Sequence, residues 1–406
     1  MDLRNSANVD LKKIIEKECP DCIIIGDLWV NLDKLESYHK TNSSEFKQLA
    51  HEFLDDYLDK SHLKLSFKQK KIIILYREVL PTHIFLIIHD WIVKQCCDIN
   101  NVFLVCPSVL GLKDWYKDYL KLFGCNGINI VECPWFAGGI SSRHHDEENP
   151  NADLFLDWHF DTLDRDFKFV GKNLKYYFNY YGGSSRYKRG LLKNNLNFLE
   201  RDFLVCLFSM VPNGFIDSEV GLQSPLDEFD NHLERLTGFL DRRICDKLLD
   251  QRKTLTFNHD RINSHPGVGN HGFIWDIDNQ SPCHIIRETE NTLPYTIVSE
   301  KSAKPFLHFQ FPLPISGINA VQKFEELGFQ MPHSIINYEY QKDPIFYSRV
   351  QKLCRELIRI QNTYTLSDLE DQLNDHREIL QYNYNYIASG NVFDKVKNNL
   401  IRELNV

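Results

Sequence analysis

Short apolar segments rich in β-branched residues, with helical stretches between them, constrain the fold of this chain more than any other feature. Near the start of the chain, the runs predicted as buried strands are Cys22–Ile25, Lys71–Leu75, Ile84–Ile88, Val102–Cys106 and Ile128–Val131. The segment Trp115–Phe123 instead places its aromatic residues and leucines at helical spacing. Strands that alternate with helices indicate parallel βαβ units, so the predicted fold class is α/β.

A second series of alternating elements begins near Lys172. Its predicted strands are Leu174–Tyr181, Phe203–Met210, Cys283–Arg287 and Phe311–Ile315. Its predicted helices are Arg186–Asn197, Leu226–Asp250, a helix that opens at Ser299, Ile318–Leu327, Asp343–Ile360 and Leu366–Asn385. We therefore predict an N-terminal α/β domain over residues 1–170, a C-terminal α/β domain over residues 171–342 and terminal helices over residues 343–406.

The composition is that of a globular protein. The chain has 406 residues, 43% of them hydrophobic and 25% charged, which excludes a disordered or fibrous protein. The formal net charge of −9 argues against nucleic acid or an anionic membrane as the main partner. The longest apolar stretch, Ile84–Val93, is too short to span a bilayer. Several of the 11 cysteines lie in apolar runs, which indicates reduced thiols, and we expect a soluble cytoplasmic protein.

One part of this acidic chain is strongly basic. Between Phe167 and Leu199 there is no Asp or Glu, and the cations are Lys168, Lys172, Lys175, Arg186, Lys188, Arg189 and Lys193. Within this basic island, a glycine turn precedes a predicted helix that carries Arg186 and Arg189 on one face. Backbone N–H groups at a helix N-terminus together with guanidinium groups suit a pyrophosphate. The alternative is a serine N-cap followed by a solvated basic helix face, and both interpretations stay open.

A second candidate block is Ile285–Pro305. Ser299 is a good N-cap, which places Glu300 and Lys301 in the first turn of a helix. A carboxylate in that position can accept hydrogen bonds from a ribose diol, and Lys301 and Lys304 can add positive charge for phosphates. From the residues alone the plainer interpretation is favoured, in which Glu300 complements the helix dipole and the lysines face solvent.

The two blocks resemble a known family. The runs SEKSAKP (Ser299–Pro305), FPLPISG (Phe311–Gly317) and LGF (Leu327–Phe329) are similar to the nucleotide-sugar-binding block of α-1,3-fucosyltransferase-type glycosyltransferases. Within that group, the similarity is greatest to divergent viral and marine-microbial relatives. Glu288 with Thr289 matches the E-T pair that often precedes the first run. The pattern N-x(6)-R-x-[HK]-R is met by Asn179, Arg186, Lys188 and Arg189.

The resemblance covers roughly residues 172–210 and 283–330, and it implies a GT-B architecture of two Rossmann-like halves. In such proteins the C-terminal half binds most of the donor. The resemblance implies that Glu300 binds the ribose and that Arg186 and Lys301 bind the diphosphate. The donor-binding residues that it marks are Asn179, Arg186, Arg189, Glu288, Glu300, Lys301 and Lys304. It implies no cofactor, because the nucleotide-diphosphate sugar is itself the donor substrate.

The acceptor side requires a base. An inverting transfer needs a carboxylate or an imidazole to remove the proton of the acceptor hydroxyl. In a GT-B fold this base is expected in the N-terminal half, at the carboxyl end of a strand. His89 and Asp90, which follow the predicted strand at Ile88, are the first candidates, and Glu132 is the second. For each of these three residues, a structural role is more frequent than a catalytic one.

Signals for a metal site are weak in this sequence. The patterns to consider are the D-x-D pairs Asp164 with Asp166 and Asp276 with Asp278, the histidines His259, His265 and His271, and the pair Cys19 and Cys22. The aspartate pairs match the form by which metal-dependent sugar transferases hold a cation, but they are expected by chance in an Asp-rich chain. The histidine spacing of six puts no two on one helix face, and the lone cysteine pair lacks a second pair at zinc spacing. We therefore expect no metal.

The leading hypothesis is a glycosyltransferase that transfers a sugar from a nucleotide-diphosphate donor, GDP-fucose-like by resemblance, to a hydroxyl acceptor. We expect inversion at the sugar carbon and no need for a metal. The expected partners are a nucleotide sugar and a glycan or other hydroxyl acceptor. Two alternatives stay open: a catalytically silent glycosyltransferase-like binding module, and a metal-using transferase built around Asp276 and Asp278.

Overall fold

The computed structural model describes residues 11–28, 71–76, 82–95, 98–134, 174, 177–180, 215–217, 281–286, 288, 293–298 and 300–405, together with residues 48, 51, 52, 54, 55 and 58. The chain separates into two compact units. The first unit comprises Met1–Leu156, Leu293–Glu300 and Ser389–Val406, and the second comprises Asp157–Thr292 and Lys301–Ala388. The domain boundary predicted near residue 170 lies outside the described residues.

The described helices and strands follow one another in this chain order. The first are α1 (Leu11–Glu18), β1 (Cys22–Leu28), β2 (Lys71–Tyr76), α2 (Thr82–Lys94), β3 (Val102–Cys106), β4 (Val109–Leu110), α3 (Leu112–Phe123) and β5 (Asn129–Glu132). Next come β6 (Phe178–Tyr180), β7 (Phe215–Asp217), β8 (Cys283–Ile286), β9 (Thr296–Ile297), α4 (Glu300–Leu307), β10 (Phe311–Pro314) and α5 (Ala320–Leu327). The last are α6 (Phe346–Thr363), α7 (Leu366–Asp375), α8 (Arg377–Ala388) and α9 (Asn391–Asn405).

The sheet of the first unit has the spatial order β1-β2-β3-β5, and each neighbouring pair is parallel. Ile72 and Ile73 lie on opposite faces of β2, and both are fully buried. One face of the sheet packs in a cluster with Phe85 and Trp91 of α2 and Tyr116 of α3. Burial on both faces explains why the central strands are unbroken apolar runs instead of alternating apolar and polar residues.

Most elements predicted in this part of the chain are confirmed. The confirmed strands lie at Cys22–Ile25, Lys71–Leu75, Val102–Cys106 and Ile128–Val131, and the confirmed helix lies at Trp115–Phe123. Half of the observed ends agree with the predicted ends and the others differ by one to three residues, because hydrogen bonding and not composition decides the last residue.

The strand predicted at Ile84–Ile88 is wrong, because these residues lie in the middle of α2. Phe85, Ile88 and Ile92 are spaced three and four residues apart, and all three are buried in the core of the first unit. A helix that is apolar over most of its surface has the same composition as a buried strand, and periodicity alone does not separate the two. The helical stretch runs to Lys94, well beyond the length of an ordinary buried strand.

The second unit contains a sheet of spatial order β10-β8-β6-β7, whose neighbouring strands are again all parallel. The α/β class predicted from the sequence is therefore confirmed. A short 3₁₀ helix, Tyr338–Lys342, runs beside β10. It is held there because the Tyr338 hydroxyl donates to the Pro312 carbonyl at 2.8 Å and the Gln341 side-chain amide donates to the Pro314 carbonyl.

Helices follow the second sheet along the chain. The helix predicted at Asp343–Ile360 is α6, whereas the predicted helix Leu366–Asn385 is two helices, α7 and α8, separated at His376. Thr365 and Asp368 form a reciprocal capping box that begins α7. No helix in the described part of the chain combines the length and the hydropathy that a bilayer crossing requires.

Gly328 is the first site at which the fold can be tested. It ends α5 with a φ of 109°, and a Cβ added there would lie 2.8 Å from the Tyr386 hydroxyl oxygen, which itself donates to the Leu327 carbonyl. We expect Gly328→Ala to lower the free energy of unfolding by about 2–4 kcal/mol, because left-handed backbone strain and overpacking add. Urea unfolding followed by circular dichroism measures this loss.

Two comparisons separate the backbone cost from the packing cost at Gly328. Gly124 ends α3 with a φ of 61° and has no atom within 4 Å of an added Cβ, so Gly124→Ala should cost only about 1 kcal/mol. In a Tyr386→Ala background the excess cost of Gly328→Ala should disappear. An unchanged cost in that background would contradict the packing explanation.

Candidate functional site

The first candidate block is only partly described. The helix predicted at Arg186–Asn197, with Arg186, Lys188 and Arg189, lies outside the described residues. The strand before the glycine turn is present as β6. In the ladder between β6 and β8, Asn179 is the backbone partner of His284. The strand of the first block therefore lies directly beside the strand that leads into the second.

The second block is built around a buried hydrogen bond. Glu288 lies two residues beyond the end of β8 and is 2% exposed. The hydroxyl of Ser302, in the first turn of α4, donates to its carboxylate at 2.6 Å, and Ser302 is fully buried. This bond ties the start of α4 to the chain that leaves β8. A carboxylate acceptor makes the bond a strong one.

The charged residues of α4 lie in its first turns. Glu300 begins the helix, as the N-cap prediction at Ser299 required. Lys301 is half-buried, and Lys304 is 4% exposed. The interpretation that both lysines face solvent is therefore wrong for Lys304. An ammonium group is buried only where polar partners compensate its lost hydration, so the position of Lys304 requires polar neighbours.

The apolar face of α4 packs against the LGF segment. Phe306 of α4 stacks on Phe329, with ring centroids 4.2 Å apart, and meets Phe324 of α5 edge-on at 5.9 Å. Gly328 turns the chain so that Phe329 reaches this cluster. Phe306, the residue directly after the SEKSAKP run, therefore contacts the LGF run, and the contact is core packing.

The carboxyl ends of the parallel strands meet at one edge of the second sheet. Glu288 follows β8 at this edge, and Ser316 follows β10. The backbone N–H of Ile315 donates to the Ile286 carbonyl at 2.9 Å, which extends the ladder towards these residues. In open α/β sheets, ligands bind outside the carboxyl ends of the strands. The second block thus lies at the edge where a ligand site is expected.

His89 and Asp90 are not at a strand end. Both lie within α2, so the argument that placed them at the carboxyl end of a strand is wrong. The imidazole of His89 is buried among aromatic rings, 5.6 Å from Tyr116 and 6.5 Å from Phe85 between centroids. Asp90 has 39% of its side chain exposed, and its carboxylate lies 3.8 Å from the His89 ring. Their role as a base stays a prediction without support from strand position.

Glu132 does end a strand, as predicted, and its carboxylate forms hydrogen bonds within the fold. Its carboxylate accepts the backbone N–H of Gly111 at 3.0 Å and that of Lys113 at 2.7 Å. These N–H groups belong to the start of α3, whose own first turn leaves them without helical partners. Gly111 has a φ of 86°, which turns the chain into the helix. Glu132 therefore caps α3 from the neighbouring strand.

Of the residues considered for a metal site, only Cys19 and Cys22 are among the described residues. Both D-x-D pairs and the three evenly spaced histidines lie outside the described residues. Among the residues that are described, no group of three or more His, Cys, Asp or Glu side chains has the arrangement of a metal site. Cys19 and Cys22 are described and are free thiols.

Two features of the site were not predicted from the sequence. The pairing of Ser302 with Glu288 joins residues 14 positions apart, and only the fold brings them together. The segment between β8 and α4 contributes Tyr295 and Ile297 to the core of the first unit. The run Tyr295–Val298 was the available signal for this second feature, since its aromatic and β-branched residues have strand composition.

The hydrogen bond between Ser302 and Glu288 can be tested by a pair of matched substitutions. Ser302→Ala leaves a buried carboxylate without one of its donors, so we expect the free energy of unfolding to fall by about 1–3 kcal/mol. Ser316→Ala is the control, because Ser316 is equally buried and its hydroxyl has no hydrogen-bond partner among the described residues. Urea unfolding measures both variants, and an equal loss in the two would contradict a specific role for the bond.

His89 should contribute to the pH dependence of stability. Burial lowers the pKa of His89 below its ordinary value, so the unfolded chain takes up this proton at a higher pH than the folded protein. Stability is therefore complete above the ordinary histidine pKa and is lost as the pH falls below it, by at most about 1.4 kcal/mol per pH unit. His89→Phe should flatten this decline, which urea unfolding between about pH 7 and about pH 5 measures.

A second variant controls for loosened packing around His89. Phe85→Leu disturbs the same aromatic cluster but keeps the imidazole, so it should lower stability at every pH and retain the slope of the unsubstituted protein. If His89→Phe retained that slope as well, the proposed proton uptake would be refuted.

No family model, no curated protein and no solved structure matches this chain. Its function therefore has to be inferred from its own residues and their contacts.

Proposed function

We propose that the chain is a glycosyltransferase that transfers a sugar from a nucleotide-diphosphate donor to a hydroxyl acceptor. In this proposal the two α/β units are the halves of a GT-B architecture. The donor binds at the carboxyl edge of the second sheet, to α4 and to the basic island. The transfer inverts the sugar carbon and needs no metal.

The single observation that carries the proposal is the buried hydrogen bond between Ser302 and Glu288. It fixes the first turn of α4, and that turn contains Glu300 and Lys301, which the resemblance assigns to the ribose and the diphosphate. A binding residue is effective when its backbone is held rigidly, because less conformational entropy is then lost on binding. A buried bond at this turn is the support that such a site requires.

The charges of the proposed site fit a departing nucleotide diphosphate. As the sugar carbon is attacked, negative charge grows on the diphosphate oxygen that leaves it. Fixed cations stabilise this charge in the transition state, which is the task that a divalent metal has in other transferases. Lys301, with Arg186 and Arg189 of the basic island, would supply these cations.

His89, Asp90 and Glu132 are the candidates for the base that deprotonates the acceptor. Glu132 already caps α3, so protonation of its carboxylate would weaken two hydrogen bonds of the fold. His89 is 6% exposed in its side chain, whereas the neighbouring Asp90 is 39% exposed. Of these candidates, Asp90 has the carboxylate that an acceptor hydroxyl can approach without disturbing the core.

A panel of nucleotides tests the donor site. We expect GDP or another nucleotide diphosphate, and the matching nucleotide sugar, to raise the melting temperature in the presence of EDTA. At a ligand concentration 100 times the Kd, binding adds about 2.7 kcal/mol to stability, which is a shift of several degrees in a protein of this size. Glu300→Ala and Lys301→Ala should lose the shift, because they remove the ribose and diphosphate contacts.

Lys121→Ala is the matched control for the panel, since Lys121 is an exposed lysine in the last turn of α3. It should retain the full shift. If no nucleotide or nucleotide sugar stabilises the protein, the proposal fails. Stabilisation without hydrolysis or transfer of any donor would instead favour the catalytically silent binding module, and a shift or an activity that EDTA abolishes would favour a metal-using transferase.

A further inference from the structure

An open cavity of about 550 Å³ lies beside helix α6 in the second unit, away from α4 in sequence. It is bounded by one face of α6 and by the 3₁₀ helix Tyr338–Lys342 with the residues that follow it. We call this cavity the α6 groove. Its charged lining residues are Glu339, Lys342, Asp343, Lys352, Arg355, Glu356 and Arg359.

Buried acids hold two of the cations of the α6 groove in place. Asp343 accepts from Lys352 at 2.6 Å and from the Ser348 hydroxyl at 2.6 Å, and these bonds hold the pKa of Asp343 at about 2. Glu356 is 6% exposed and accepts two bonds from the Arg359 guanidinium, at 2.8 and 2.6 Å. Lys352 and Arg359 therefore have defined positions instead of moving freely in solvent.

Arg355 lies between these two cations and has no ion pair with any residue that the structure describes. It is three residues after Lys352 and four residues before Arg359, so the three side chains share one face of α6. Arg355 is exposed, and none of the described residues makes a hydrogen bond or an ion pair with its guanidinium. The groove has one more cation than carboxylates, and Arg355 is the cation that is left over.

We propose that the α6 groove is a binding site for a small phosphate-bearing molecule, with Arg355 as its principal ligand. A guanidinium offers paired N–H donors that match two phosphate oxygens, and Lys352 and Arg359 supply positive charge on either side. The volume of the groove is within the range of small-molecule sites. This site uses none of the residues assigned to the sugar donor, so it goes beyond the proposed function.

The lining of the groove favours a small ligand over a nucleic acid. Glu339, Asp343 and Glu356 surround the cations, and an extended phosphate backbone would meet their charge at each side. The whole chain is acidic as well, with a net charge of −9, which opposes a long polyanion. One compact phosphate or diphosphate group at Arg355 avoids this repulsion.

Calorimetric titration of the full chain with inorganic pyrophosphate and with inorganic phosphate, at low ionic strength, tests the proposal. We expect pyrophosphate to bind more tightly, and Arg355→Ala to weaken its binding at least about tenfold, since charge-assisted hydrogen bonds are lost. Arg355 is an exposed helical residue, so alanine should not disturb folding. Arg402→Ala, which removes an exposed arginine from α9, controls for the change in net charge and should bind as the unsubstituted protein does.

Lys301→Ala separates this proposal from the proposed donor site, because pyrophosphate resembles the diphosphate of a nucleotide. We expect Lys301→Ala to lose binding of GDP but to retain the pyrophosphate site that depends on Arg355. If pyrophosphate binding falls in Lys301→Ala and is unchanged in Arg355→Ala, the ion binds at the donor site and the α6 groove proposal is overturned while the proposed function stands. Absence of pyrophosphate binding to the unsubstituted protein would also overturn it.

Discussion

Parallel strand pairing is the constraint on which the rest of this structure depends. A parallel strand pair cannot be closed by a tight turn, so each step between neighbouring strands needs a crossover of helix and loop. The two strands in the middle of the first sheet, β2 and β3, are buried on both faces, and their side chains are therefore apolar apart from Lys71 at the start of β2. Glu132 lies at the end of a strand in the first unit, and Glu288 lies just beyond the end of a strand in the second unit.

These two carboxylates have related tasks in the two units, with different consequences for ligand binding. Glu132 accepts backbone N–H groups at the start of α3, and so it already occupies the position that an anion would take at that helix terminus. Glu288 instead accepts the side-chain hydroxyl of Ser302 within α4. Glu288 supports the buried side of α4. Lys301, the residue before Ser302, is half-buried. Because Glu132 takes the anion position at the start of α3, the proposed anionic donor is assigned to the second unit.

The local sequence predicted the strands and helices better than it predicted the tertiary contacts between them. Val102–Cys106 was predicted to the residue, because its short length, its valines and the Pro107 that follows it favour a strand over a helix. Ile84–Ile88 was mistaken for a strand, because burial on most sides removes the polar positions that reveal helical spacing. The bond between Ser302 and Glu288 had no local signal at all, since each residue alone is an ordinary polar residue and only their tertiary positions make them a pair.

The two proposed anion sites differ in how the protein prepares their cations. A cation that already pairs with a carboxylate has much of its charge compensated, so Lys352 and Arg359 would position a ligand more than attract it. The attraction in the α6 groove must then come from Arg355, which is exposed and screened by solvent, and binding there should weaken steeply with added salt. Lys301 of the proposed donor site is half-buried, where solvent and salt screen a charge less than at an exposed position. Anion binding at the proposed donor site should therefore depend less on ionic strength than binding at Arg355, and this property suits a site that holds a charged nucleotide diphosphate as a leaving group.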